Sequence, residues 1–349
     1  MATADDLMEI IAVGSCPWRF LVVSAVKSLF KRKKSEKKKI TVKSALLYLF
    51  NCYLCFVLAG LFVVCMKDKL ALFPLKNTDW KPYLPEMAAK FKVQTKELFI
   101  PGPHQAKLAA LLITKPGSKY IYLVSHGNGG NLGYRVALAA FLVATGQSVF
   151  LYDYEGYGES SGEAKLDNLT PDGLAAYDYL VGAGGYKPEQ IILYGESIGT
   201  GVTSGIMSER KARAVILQSG FTSLVQAGKD RLWQLRLFPD WMMPAPHLDN
   251  LSAVKRHHPP LLLIHGSLDQ ILPVQYSRTM YAEASEPKRY YEIVGAEHNN
   301  IGMTDTPGFC KELSAFLTSF DADALTPLTP PTPQIEDKKK RPSRPRKMS

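Results

Sequence analysis

From about residue 95 onward, short apolar runs recur, separated by polar, glycine-rich or helically periodic segments. KELFIPG and AKLAALLIT, joined through PGPHQ, predict a hairpin. KYIYLVSHG, SVFLYDYEG, QIILYGES, ARAVILQSG, PLLLIHGS and RYYEIVGA follow, each apolar at nearly every position rather than at alternate ones. A strand reads that way when both its faces are covered, as in a parallel sheet between two layers of helices. The intervening stretches, such as NLGYRVALAAFLVATG and LDNLTPDGLAAYDYLVGAGG, have the length and spacing of helices. Strand–helix alternation predicts right-handed crossovers, and hence one α/β domain over 95–320 with a mostly parallel sheet of about eight strands.

A different pattern precedes it. Residues 45–66, ALLYLFNCYLCFVLAGLFVVCM, are 22 positions without a charge, and Asn51 is their one strongly polar residue. At 1.5 Å per residue they reach about 33 Å, against roughly 30 Å of bilayer hydrocarbon. No polar face appears anywhere around the helix, so a buried core helix is a poor reading and a single N-terminal transmembrane helix a good one. Nine Lys/Arg lie between Lys27 and Lys43, whereas only Lys67 and Lys69 follow closely behind the run. The positive-inside asymmetry predicts a single-pass protein, with residues 1–44 as a basic cytoplasmic segment and the domain on the other side, in a periplasm or lumen. Residues 67–94 read as a membrane-proximal linker. Residues 321–349, with six prolines and seven Lys/Arg and no apolar periodicity, read as a disordered tail.

Charge narrows the partners. The chain carries a net +10, but residues 1–76 hold 13 Lys/Arg against 5 Asp/Glu, and the last 29 hold 7 against 4. The domain between them is close to neutral, and a nucleic-acid-binding fold needs its basic patch on the fold itself. No nucleic-acid partner is expected; the polybasic segment and the apolar helix point to membrane lipid instead. Of five cysteines only Cys310 falls in the domain, which rules out a disulfide framework there. Cys52 and Cys55 sit inside the apolar run and read as membrane-embedded thiols. With no clustered metal-ligand set, no Walker loop and no dinucleotide fingerprint, no cofactor and no metal are expected.

Ligands of an open parallel sheet gather at the carboxyl ends of its strands. KYIYLVS delivers His126-Gly127-Asn128-Gly129-Gly130 there, SVFLY delivers Asp153, IILYG delivers Glu196 and Ser197, LLLIHG delivers Asp269, and YYEIVGA delivers Glu297 and His298. Ser197 stands in Gly195-Glu196-Ser197-Ile198-Gly199, a G-x-S-x-G in which glycines two residues to each side let the backbone double back and raise the hydroxyl. Serine, acid and histidine thus reach one sheet edge in the order Ser197, Asp269, His298.

With HGNGGN, DYEGYGESSG, GESIG, HGSLDQILP and GAEHNN, the region 95–320 resembles an α/β-hydrolase. Within that superfamily it is similar to membrane-anchored α/β-hydrolase domain proteins related to prolyl-oligopeptidase-type serine hydrolases. That family commonly has arginine where Glu155 stands, which puts the pairing around that turn, though not the three residues above, in question. The chemistry assigns Ser197 as nucleophile, His298 as general base and then acid, and Asp269 as the group that holds the imidazole tautomer. The backbone N–H groups of Asn128 and Ile198 are the candidate oxyanion hole. His126 and His265 read as loop-packing residues, and Asp153 as a brace for its own turn. Trp233, Phe238, Trp241 and Met242, in the forty residues before PLLLIHG, read either as walls of an apolar acyl pocket or as core packing. Together these predict a membrane-anchored serine hydrolase acting on an acyl ester, a lipid or an acylated protein. A serine peptidase is the alternative, and a non-catalytic membrane scaffold a third reading that has no use for such a triad.

Overall fold

The computed structural model describes residues 42–323; the polybasic segment and most of the proline-rich tail lie outside the described residues. The chain divides into two units at Leu61–Phe62, and the fold that follows is that of the second. Helix α1 (Val42–Ala71) contains the apolar run. Among the described residues it is the one helix long and apolar enough to cross a membrane, with a mean hydropathy of 2.2 over Leu46–Val63 and none of that window buried in protein. It continues five residues beyond Met66, because Lys-Asp-Lys-Leu-Ala contains no helix breaker.

Eight strands form the sheet: β1 (Gln94–Pro101), β2 (Lys107–Thr114), β3 (Ile121–Ser125), β4 (Ser148–Tyr152), β5 (Ile191–Glu196), β6 (Ala214–Gln218), β7 (Leu261–Gly266) and β8 (Lys288–Ile293). Their order is β1-β2-β4-β3-β5-β6-β7-β8. β1 and β2 make the expected hairpin, Gln94 opposite Thr114 and Pro101 opposite Lys107. β2 runs antiparallel to β4 as well, and every other pairing is parallel. The continuous apolar runs are explained by burial on both faces. Ile121 and Leu123 of β3 enter one core with Phe150, Leu193 and Val202, while Tyr122 and Val124 enter a second core with Leu151, Tyr194 and Leu142.

Before the first strand lies α2 (Leu84–Phe91); between strands lie α3 (Val136–Ala144), α4 (Leu166–Val181), α5 (Ile198–Glu209), α6 (Leu224–Arg231), α7 (Asn250–Lys255) and α8 (Gln275–Glu283); after the last come α9 (Ile301–Thr304) and α10 (Thr306–Asp323). Residues of α4, α5 and α8 cover the first core, and those of α2, α3 and α10 the second. Residues 67–94, read from sequence as a linker, carry structure of their own. Phe73 and Pro74 pair in parallel with Gly129 and Gly130 of the loop after β3, and Leu84 and Met87 of α2 are buried in the second core. Asp68 accepts the N–H of Leu166 at 2.8 Å, satisfying the first turn of α4.

The direction of chain growth reverses at β3, which has β4 on one side and β5 on the other. That reversal leaves a crevice at the carboxyl ends of β3 and β5, where loops diverge to opposite faces. His126–Gly130 and Glu196–Ser197 are delivered there.

Candidate active site

Ser197 occupies the turn between β5 and α5 with φ 55° and ψ −121°, a conformation few non-glycine residues adopt. The flanking glycines are required by contact. A Cβ on Gly199 would lie 2.0 Å from the Ser125 carbonyl oxygen, and one on Gly195 would lie 2.6 Å from the Gly199 oxygen. The turn is held by the Ser197 N–H, which donates to the Gln218 carbonyl at 2.9 Å. The Ser197 carbonyl in turn accepts the N–H and the hydroxyl of Thr200 at 3.0 and 2.7 Å.

His298 Nε2 lies 3.0 Å from Ser197 Oγ, and His298 Nδ1 lies 2.6 Å from Asp269 Oδ2. A carboxylate can only accept, so Nδ1 carries the proton and Nε2 faces the hydroxyl as an acceptor. That is the protonation needed to take a proton from Ser197. All three residues are buried. Burial pushes the Asp269 carboxyl up, but hydrogen bonds from His265 and His298, the attraction of His298 whenever it is an imidazolium, and the Leu272 N–H outweigh it and hold the group well below the usual carboxylate range. Asp269 Oδ1 is itself occupied by the N–H groups of Ile271 and Leu272, both at 2.9 Å.

His265 does more than pack its loop, contrary to the sequence reading. Its Nε2 lies 3.1 Å from Asp269 Oδ2 and 2.8 Å from the Leu272 carbonyl, so it is the protonated nitrogen. Nδ1 then accepts from Ser277 Oγ at 2.7 Å. Asp269 thus ends two Ser–His chains, Ser197–His298 and Ser277–His265. Burial separates their roles: Ser277 and His265 have no exposed surface at all, so no substrate reaches that hydroxyl. The spacing H-G-x-x-D at a strand end was the available signal for His265.

The peptide that carries the Asn128 N–H is held from its other end. His126 Nδ1 donates to the Gly127 carbonyl at 2.7 Å. In a trans peptide the N–H points opposite to the C=O, so this bond aims the Asn128 N–H away from His126. The next peptide is held by Phe73 N–H and Tyr157 Oη, which donate to the Asn128 carbonyl at 2.9 and 2.8 Å. Ile198 opens α5, where the first N–H groups have no helical acceptor and the helix dipole is positive. Asp153, read as a brace, accepts the Leu132 N–H at 2.6 Å and lies 3.3 Å from His126 Nε2.

Sequence reasoning missed Arg135, because its partner is 61 positions away. Its Nε and Nη2 meet Glu196 at 2.9 and 3.3 Å, and Nη1 donates to the Gly129 carbonyl at 2.8 Å. The guanidinium therefore ties the glycine-rich loop to the residue preceding Ser197. Burial pushes the Glu196 carboxyl up, yet the charge and hydrogen bonds of Arg135 prevail and hold it below its usual value. A Cβ on Gly127 would come within 2.7 Å of Arg135 Nη2.

Glu155 is buried, with its N–H on Asp172 Oδ2 at 2.9 Å and its carboxylate 3.3 Å from His104 Nδ1. Burial, reinforced by the Glu155 charge and opposed by the Glu155 N–H, pushes the Asp172 carboxyl up to about 8. Asp172 is therefore protonated at neutral pH, which avoids two buried charges side by side.

Of the proposed pocket residues, Phe238 is buried whereas Trp233, Trp241 and Met242 are exposed. A cavity of about 130 Å³ beside the turn is lined by other side chains, among them Leu138, Phe141, Glu196, Asn299, Ile301 and Met303. Among the described residues no group of three His, Cys, Asp or Glu is placed to hold a metal.

Comparison with known proteins agrees with this architecture. The profile of the family described as serine aminopeptidase, S33, matches residues 117–253. An uncharacterized protein of Mycobacterium tuberculosis is 35% identical over 205 residues, spanning 59% of this chain and 72% of that protein. The α/β-hydrolase domain-containing protein 17B of Xenopus tropicalis is 30% identical over 207 residues, spanning 58% of this chain and 68% of that protein. Among solved structures, an esterase of Pyrococcus furiosus superposes with a TM-score of 0.57 at 20% identity, over 71% of this chain and 98% of its own. A puromycin-hydrolyzing peptidase of Mycobacterium tuberculosis superposes at 0.52 and 17% identity, over 66% of this chain and 39% of its own. With an eight-stranded sheet of this order and relatives of this coverage, the chain belongs to the α/β-hydrolase superfamily.

Proposed function

We propose that the protein is a membrane-anchored serine hydrolase that cleaves carboxylic ester or thioester bonds of acyl lipids or acylated proteins through an acyl-enzyme. The carrying observation is the Ser197–His298–Asp269 chain, with 3.0 and 2.6 Å links, at the crevice between β3 and β5. Ser197 Oγ attacks the acyl carbonyl carbon while His298 Nε2 takes its proton. The carbonyl oxygen gains the negative charge and accepts from the N–H groups of Asn128 and Ile198. As the C–O or C–S bond breaks, His298 returns the proton to the leaving oxygen or sulfur. Water, deprotonated by the same nitrogen, then releases the acid and restores Ser197.

Acyl substrates are favoured over peptides by the rim. Leu268 and Ile271, on either side of Asp269, are exposed, and Leu138, Phe141, Ile301 and Met303 line the neighbouring cavity. The peptidase alternative rests on the serine aminopeptidase description of the matching family. Purified full-length protein assayed on p-nitrophenyl esters of increasing chain length and on aminoacyl p-nitroanilides separates the two. The expected result is ester turnover that rises from acetate to medium chains, with kcat/KM on anilides at least about 10²-fold lower, the factor of one well-filled apolar pocket. Preference for anilides would make the protein a peptidase.

For topology, the Lys/Arg asymmetry supports an N-terminus in the cytoplasm and a hydrolase domain across the membrane. In sealed vesicles with the cytoplasmic face outward, protease should leave a C-terminal tag intact until detergent is added. Digestion before detergent would reverse the orientation.

A further inference from the structure

The connection between α6 and α7 is divided between two environments. Leu235 and Phe238 turn inward, 7% and 8% exposed, and hold the segment to the body of the domain. Leu232, Trp233, Leu237, Trp241 and Met242 turn outward, with Trp233 64% and Trp241 81% exposed. Two tryptophans left in water forgo the largest burial gain any side chain offers, and contiguous apolar exposure of this kind marks a surface that is covered in use.

What covers it is indicated by its neighbour. Lys67 Nζ donates to the Ala245 carbonyl at 2.5 Å and pairs with Asp167 at 2.6 Å. Lys67 is the first charge after the apolar run of α1, so in a membrane its ammonium stands at the headgroup level. Ala245 stands at that level with it. Trp241 and Met242 are four and three residues away, no more than about 14 Å along the chain even if it were fully extended. The nearby charges Lys229 and Arg236 pair with Asp240 and Asp230, and Arg231, just before Leu232, leaves the segment one excess positive charge, which suits a headgroup layer.

The geometry points to residues 232–242 as a second membrane contact, in which Trp233, Leu237, Trp241 and Met242 seat in the headgroup and upper acyl layer of the bilayer that α1 crosses. This rests on the reading of α1 as a membrane span. Tryptophan suits that layer, since its ring is apolar and its indole N–H finds acceptors there. Two attachments, helix and segment, fix the tilt of the domain on the bilayer, which a single helix leaves free.

Full-length protein in phosphatidylcholine vesicles, with and without phosphatidylcholine brominated at acyl carbons 6 and 7, tests it. The brominated lipid should quench tryptophan emission, and Trp233→Phe/Trp241→Phe should lose more than half of the quenched amplitude while keeping its melting transition. Should the double variant unfold, Leu237→Gln/Met242→Gln, which keeps both indoles, should lower their quenching about twofold. Alkaline carbonate extraction of the same vesicles reports on α1 separately. Protein that resists extraction yet shows unchanged quenching in the variants overturns the inference and leaves the anchor standing; a blue-shifted, unquenched emission would assign the patch to a second copy or another protein. Protein released by carbonate removes the anchor and the inference together.

Discussion

Ser197→Ala is expected to abolish covalent labelling by a fluorophosphonate probe and to lower ester hydrolysis by a factor on the order of 10⁶, the usual cost of removing such a nucleophile. Among the serines near the crevice, only Ser197 combines an acceptor histidine nitrogen, the N-terminus of a long helix and the glycine-lined turn. Ser160 Oγ is committed to the Asp153 carbonyl and the Ala109 N–H, and Ser161 Oγ to the Lys107 N–H. Ser219 and Ser277 have no exposed surface. The fold should survive, because alanine keeps the Cβ and the backbone bonds to Gln218 and Thr200 that hold the turn. Gel fluorescence after probe treatment is the measurement, with thermal melting as the control. Labelling that persists in the variant would move the nucleophile elsewhere and take the proposed mechanism with it.

Asp269→Asn should lower kcat/KM by about 10⁴, or roughly 5.5 kcal/mol of transition-state stabilisation, through the wrong tautomer of His298. The amide has two ways to sit, and the site blocks the harmless one. If the NH₂ group took the place of Oδ1, it would face the N–H groups of Ile271 and Leu272, donor against donor. At the Oδ2 position it meets one donor instead of two, His265 Nε2, which retains the Leu272 carbonyl as acceptor. The amide therefore sits there and donates to His298 Nδ1, which moves the imidazole proton to Nε2 and turns it toward Ser197. A histidine in that state cannot accept the serine proton. Steady-state kinetics on a p-nitrophenyl ester checks this, and an asparagine variant within tenfold of the wild type would show that Asp269 does not set the tautomer. Because the Asp269 carboxyl is held well below its usual range, it stays ionised across the working pH range and cannot be the source of an acid limb above pH 4.

The local rules were legible in the chain. Eight runs became eight strands; the six inner ones are nearly all apolar because both their faces are buried, whereas the edge strands β1 and β8 are partly exposed and carry polar positions. The apolar run near the N-terminus became a helix long enough to span a bilayer. G-x-S-x-G predicted a tight turn, and the structure supplies the reason: only glycine fits at 199, where the first turn of α5 passes the Ser125 carbonyl at the end of β3. The order Ser197, Asp269, His298 predicted a shared edge because parallel strands present their carboxyl ends together.

What the sequence by itself determined, then, is which residues stand at strand ends and which segments are apolar, because both follow from periodicity and from steric limits within a few residues. Tertiary structure alone decided the rest. Arg135 meets Glu196 across 61 positions, His265 reaches the same carboxylate oxygen as His298, and His126 turns the peptide of Asn128 through a carbonyl that carries no sequence signal. It also sent Leu235 and Phe238 inward and Trp233 and Trp241 outward, although all four are equally apolar in the chain. Hydrophobicity gives each side chain the same preference for burial, but the surface available to cover it exists only after the strands and helices have packed.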